Sequence, residues 1–149
     1  MAMEIDQSGK VEQLDTNTVI AFSNTHSGAI NCKTTTKIII YKYLRRSLIP
    51  SQDLPAIIFA TLVYILISQT KETVVWIDEE YTGKDKIIRE TIEKLFRRNG
   101  RRKIPDIRFK QVGKQSEAHH LAWATHRNKK RSLARNVFDI EILKLLERN

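Results

Sequence analysis

The chain has 149 residues, 41% of them apolar, with five Gly and three Pro, which suits one packed core and excludes a fibrous or low-complexity chain. The single cysteine, Cys32, excludes an internal disulfide and a cysteine-based zinc knuckle, and fits a reducing, cytoplasmic compartment. The net charge of +9 is uneven: residues 1–75 carry 7 Lys/Arg against 6 Asp/Glu, residues 76–149 carry 19 against 11, an asymmetry that points to a polyanionic partner, most often nucleic acid.

The first ten residues, MAMEIDQSGK, lack the basic start and apolar run of a signal peptide. Residues 3–12 alternate as a strand with a turn at Ser8-Gly9, and 18–23, TVIAFS, are a second strand rich in β-branched and aromatic types. The loop NTHSG follows, punctuated by Gly28. The Thr- and Ile-rich stretch 29–43 reads as a long strand or strand pair. Short connections between these strands predict an antiparallel meander.

A first helix is expected from Asp53 to Ser68, with Asp53 as its cap and Pro55 in the first turn, where no amide donor is needed. Its apolar run, Leu54 to Ile67, is 14 residues long, short of the roughly 18 that a membrane span wants, so a buried helix is expected and no membrane contact. TVVWI, 73–77, has the continuous apolar pattern of a central strand buried on both faces. A second helix, 84–99, places Ile87, Ile88, Ile92, Leu95 and Phe96 on one stripe and ends at Asn99-Gly100. After the basic connector RRKIP, residues 106–112 alternate as a strand. A third helix starts at Ser116, a good cap, and a tail helix covers Val137 to Glu147. The order is β-β-β-α-β-α-β-α plus one helix, with no repeat or linker.

This order resembles the ribonuclease H-like superfamily. The family has a five-stranded mixed sheet, three antiparallel strands first, with helices between the later strands. Three segments carry the likeness. MEIDQSG is similar to the family's first strand, whose acidic residue leads into a turn of small residues. VVWIDEE is similar to the fourth strand, which ends in a second carboxylate. SEAHHLAW is similar to the last helix, which often reads A-(D/H)-x-L-A. The resemblance implies an α/β fold of this type flanked by helices, with a core over about 3–126, a basic segment and a C-terminal helix over 127–149, and one domain over 1–149. It further implies a metal-dependent nuclease, with Asp6, Asp78 and His119 as catalytic and metal-ligating residues. Many members place a glutamate on the first helix; Leu54 to Ile67 holds no carboxylate, and Glu79 or Glu80 is the substitute, with Glu80 taken into the metal set.

The chemistry needs such residues. Phosphodiester hydrolysis uses an activated water and a stabilised leaving oxygen, which two Mg²⁺ or Mn²⁺ ions supply. Both ions favour hard carboxylate oxygens, and Mn²⁺ accepts imidazole as well. An aspartate after four apolar residues, as at Asp78, calls for a metal or a cationic partner. His120 faces another direction from its neighbour on a helix, Glu117 is a first-turn acid, and His26 and His126 are expected at the surface. Two basic clusters, Arg97, Arg98, Arg101, Arg102, Lys103 and Arg127, Lys129, Lys130, Arg131, are the candidate contacts to a phosphate backbone. Neither holds aromatics for stacking single strands, so structured or duplex RNA, DNA or hybrid is expected. The alternatives are a non-catalytic nucleic-acid-binding protein of the same fold, and an interaction protein forming a homodimer through its C-terminal helix.

Overall fold

The computed structural model describes residues 2–23, 26–101, 103–112, 116–127 and 134–147. It is an α/β structure built on one mixed sheet. Strands β1 (Ala2–Ser8), β2 (Thr18–Ser23) and β3 (Ser27–Cys32) form the expected antiparallel meander. Helices α1 (Thr34–Leu44) and α2 (Leu54–Ile67) lead into β4 (Val74–Asp78). Helix α3 (Asp85–Arg98) leads to β5 (Asp106–Lys110), and α4 (Glu117–His126), β6 (Ala134–Asn136) and α5 (Asp139–Glu147) complete the chain. The strand order is β5-β4-β1-β2-β3-β6. Strand β4 is parallel to both β1 and β5, and β6 is parallel to β3.

The sheet therefore has six strands where five were expected. The extra one, β6, is three residues long and contains the sequence Ala134-Arg135-Asn136, which has neither apolar alternation nor β-branched residues to mark it. Pairing with β3, including the bond from Asn31 Nδ2 to Asn136 Oδ1 at 3.0 Å, makes it a strand.

A larger correction concerns 29–43. The strand ends at Cys32, and residues 34–44 are helical. The β-branched residues cost a helix only a few tenths of a kcal/mol each, up to about 0.7. Against that, Thr36, Lys37, Ile40, Tyr41 and Leu44 recur at helical spacing and are all buried. Asn17, from the β1–β2 connection, accepts hydrogen bonds at Oδ1 from the amide and the hydroxyl of Thr34, and so starts the helix from outside. Lys37 is fully buried, and its ammonium donates to the carbonyls of Lys10 (3.3 Å) and Gln13 (2.5 Å) and to Thr18 Oγ1 (3.0 Å). Its three donors are thus used on Lys10 and Gln13 of the β1–β2 connection and on Thr18, the first residue of β2.

Helix α2 is buried nearly all round, as its composition predicts. Ile58, Phe59 and Leu62 are wholly enclosed, each burial contributing about 1.5–3 kcal/mol. Asp53 does not cap the helix; its carboxylate pairs with Lys84 Nζ at 2.8 Å. Ser116 does cap α4, accepting from Ala118 N at 3.2 Å.

Period-two alternation divides the sheet into two faces. Met3, Ile5, Ile20, Ile30, Val75, Ile77 and Ile107 point into the main core shared with α2 and α3. On the other face α4 lies over β1, β2 and β3, with Leu121 and Ala122 against Val19, Ala21 and Ala29. Strand β4 is central, yet only one of its faces is buried: Val75 and Ile77 are enclosed while Val74, Trp76 and Asp78 are half-exposed. The face of Trp76 is covered by cations rather than by a helix. The Arg108 guanidinium lies 5.5 Å and Lys110 Nζ 4.9 Å from its ring centroid.

Candidate metal centre

The connection after β1 leads to β2 on one side, and the helix after β4 leads to β5 on the other. Neighbouring parallel strands whose connections depart in opposite directions open a crevice at their carboxyl ends, where α/β proteins bind ligands. Asp6 lies near that end of β1 and Asp78 is the last residue of β4. The β1–β4 pairing runs through Ile5 and Ile77, so these aspartates take the next step in register, on the α4 side of the sheet.

Glu80 joins them from the loop after β4. One carboxylate oxygen from each of Asp6, Asp78 and Glu80 lies within 4.8 Å of the other two. Each is held. Asp6 is 2% exposed; its Oδ1 accepts from the Gln7 amide at 2.8 Å and its Oδ2 pairs with His119 Nδ1 at 2.8 Å. Asp78 Oδ1 accepts from the Val112 amide at 2.8 Å. Burial pushes the Asp6 carboxyl above the usual carboxylate range, the His119 hydrogen bond opposes this, and the Asp78 charge adds to it. Glu80 is pushed up to about 7, first by burial, then by the hydrogen bond and charge of Asp78 and the charge of Asp6, with Lys10 opposing. Three crowded carboxylates, two of them on strands, are a hard-oxygen donor set of the kind that fits Mg²⁺ or Mn²⁺.

His119 stands one contact further out. It bonds Asp6 and is not one of the three clustered donors. His120 is exposed, its ring 5.9 Å from that of His119. Glu79 is exposed, and Glu117 borders a shallow groove with His120 and Trp123. His26 is exposed, whereas His126, expected at the surface, is half-buried: Nδ1 meets Ser8 Oγ and Nε2 meets Thr16 Oγ1, each at 2.8 Å. Burial lowers its pKa, with the charges of Lys37 and Arg127 adding to the effect.

The first basic cluster lies away from the carboxylates. Strands β4 and β5 are parallel and start together at Val74 and Asp106, so the connector before β5 sits at their amino end. Asp78 is four residues along β4 from Val74, about 13 Å at the strand rise. Arg97 and Lys103 are exposed there and Arg98 is half-buried. Arg101 is built into the fold, donating to the Thr70 carbonyl at 2.9 Å with its guanidinium 5.0 Å from the Phe96 centroid. Arg127 is exposed and lies 5.3 Å from the Trp123 centroid. Arg102, Lys129, Lys130 and Arg131 lie outside the described residues.

Among the described residues of β5, Arg108 and Lys110 share the face of Asp78, and neither belongs to the two basic clusters. Lys110 Nζ meets Glu4 Oε2 at 2.6 Å, and Glu4 Oε1 accepts from Ser116 Oγ at 3.2 Å, tying β5 and α4 to β1. Alternation of charged and apolar residues in DIRFK puts both on one face, and pairing with β4 sets that face beside Trp76 and Asp78. No protein-family model, curated protein or solved structure matches this chain.

Proposed function

We propose that this protein is a divalent-metal-dependent nuclease of the ribonuclease H-like type, acting on structured or duplex nucleic acid. The observation that carries the reading is the convergence of Asp6, Asp78 and Glu80 oxygens within 4.8 Å at the carboxyl ends of adjacent parallel strands. Mg²⁺ or Mn²⁺ bound there would activate water and stabilise the leaving oxygen of a phosphodiester. Asp6 and Asp78 would hold the ions from rigid strands, and Glu80 would replace the carboxylate that α2 lacks. His119 orients Asp6 through its 2.8 Å bond. Arg108 and Lys110 lie on the same face, each already paired with a carboxylate, Asp106 and Glu4, and the net charge of +9 favours a polyanionic substrate. A cytoplasmic site of action goes with this reading; no helix among the described residues is long and apolar enough to cross a membrane.

The test is a cleavage assay on RNA–DNA hybrid, branched DNA, duplex and single strands with Mg²⁺ or Mn²⁺. Cleavage that stops in EDTA and in Asp6→Asn and Asp78→Asn is expected; cleavage that survives both substitutions sinks the site. The second reading, a non-catalytic nucleic-acid binder of the same fold, is favoured by the absence of a carboxylate on α2. It predicts binding of the same substrates with no cleavage at any metal concentration.

A further inference from the structure

Tyr81 follows Glu80 directly and is 9% exposed. Its ring packs on Phe59 of α2, the centroids 5.1 Å apart. Its hydroxyl lies 3.2 Å from the Val11 amide, 3.3 Å from Gln7 Nε2 and 3.4 Å from Gln7 Oε1. A phenol donates one proton and accepts at two lone pairs, so it takes the Val11 N–H and still has capacity for the Gln7 amide. Gln7 is the residue after Asp6, and its own backbone N–H donates to Asp6 Oδ1. One hydroxyl thus joins the residue after Glu80, the residue after Asp6 and the connection that leaves β1. The far end of the Glu80 loop is fastened separately, by Lys84 Nζ to Asp53 at 2.8 Å. Between these two ties Glu80 is brought to the strand-borne aspartates; the sheet reaches only to Glu79, whose amide donates to the Lys110 carbonyl at 3.0 Å, and the Glu80 amide turns back to the Asp78 carbonyl at 2.9 Å.

We propose that Tyr81 is a positioning residue for Glu80 in the carboxylate centre: its hydroxyl clamps the Glu80 loop to Gln7 and so sets the distance from Glu80 to Asp6. The proposal rests on the reading of the cluster as a metal centre. Tyr41 is an internal control, because its hydroxyl is also buried yet has no hydrogen-bond partner among the described residues.

The experiment is an EPR titration of the full chain with Mn²⁺ at a temperature where every variant is folded by circular dichroism. Tyr81→Phe keeps the ring on Phe59 and removes only the hydroxyl. Loss of a group that orients a metal ligand weakens metal affinity about 10- to 100-fold, so a loss of at least about tenfold is expected for Tyr81→Phe and none for Tyr41→Phe. A purely structural role lowers the melting temperature of Tyr81→Phe and leaves Mn²⁺ affinity of the folded protein unchanged; affinity within twofold of the wild type therefore overturns the proposal. Should Tyr81→Phe fail to fold, Gln7→Met removes the other partner of the tie and keeps the amide that holds Asp6, and an unchanged affinity there overturns it equally. A wild-type chain that binds no Mn²⁺ overturns the metal-centre reading itself, an outcome distinct from tight wild-type binding that Tyr81→Phe does not alter.

Discussion

Replacing Asp78 by asparagine separates a metal centre from an ordinary polar cluster, because it changes charge at nearly constant shape. The asparagine Oδ1 can still accept from the Val112 amide, now 2.8 Å away. What disappears is one negative charge beside Asp6 and Glu80, whose oxygens lie within 4.8 Å. Two unit charges at that separation repel by about 1 kcal/mol in water and about 3.5 kcal/mol at an effective dielectric of 20; with two such pairs relieved, even the water-like value gives about 2 kcal/mol in all, which sets the lower bound. For a chain of this length 1 kcal/mol moves the midpoint by about 2–4 °C. In EDTA at pH 8, where Glu80 with its pKa of about 7 is charged, Asp78→Asn should melt about 4–8 °C above the wild type. With Mn²⁺ in hundredfold excess over its Kd the wild type should gain about 2.7 kcal/mol, and the variant little. Thermal unfolding by circular dichroism reads both effects. A variant that melts below the wild type in EDTA, or an equal Mn²⁺ shift in both proteins, refutes the reasoning.

Lys37→Met should cost about 2–4 kcal/mol in urea unfolding, because three acceptors at the β1–β2 connection lose their only donated ammonium bonds; a cost below 1 kcal/mol would show that this buried charge holds nothing. Gly9→Ala should cost at least about 2 kcal/mol by the same assay, since φ is +79° and a Cβ would lie 2.1 Å from the Asn17 carbonyl oxygen; a neutral substitution contradicts that backbone. Burial pushes the Cys32 thiol from 9.0 up to about 12, with Lys37 opposing. The folded state then keeps a proton that the unfolded chain loses, so stability from this group is full below pH 9 and falls as pH rises toward 12, by about 1.4 kcal/mol per unit. Cys32→Ala should flatten the pH dependence of unfolding in that window by one proton, and an unchanged slope would contradict the buried thiol.

The parts of the fold legible in the sequence are those where one periodicity dominates: the period-two meander, the apolar α2 and the stripe of Ile88, Ile92 and Leu95 on α3. Helix α1 was not, because its local preference is for strand and its burial pattern becomes decisive only once the sheet is present. Asp78 could be singled out because an acid at the end of an apolar strand is conspicuous; Asp6 and Glu80 are marked only by the resemblance to a known family, since neither ends an apolar run. His119 could be singled out too, but its contact with Asp6 depends on α4 running along β1. The place of the basic connector was open to inference: a helix that joins parallel strands must return to their amino ends, which puts Lys103 opposite Asp78. The Tyr81–Gln7–Val11 tie left no trace, since it links residues 70 and 74 positions apart by a single hydroxyl.

The central claim is that Asp6, Asp78 and Glu80 form a divalent metal centre. Crystals soaked in millimolar Mn²⁺ and measured for anomalous scattering test it most directly. A manganese peak in contact with the Asp6 and Asp78 carboxylates, at about 2–2.3 Å from their oxygens, is the predicted result. No peak there at millimolar Mn²⁺, or manganese bound only elsewhere on the molecule, contradicts it.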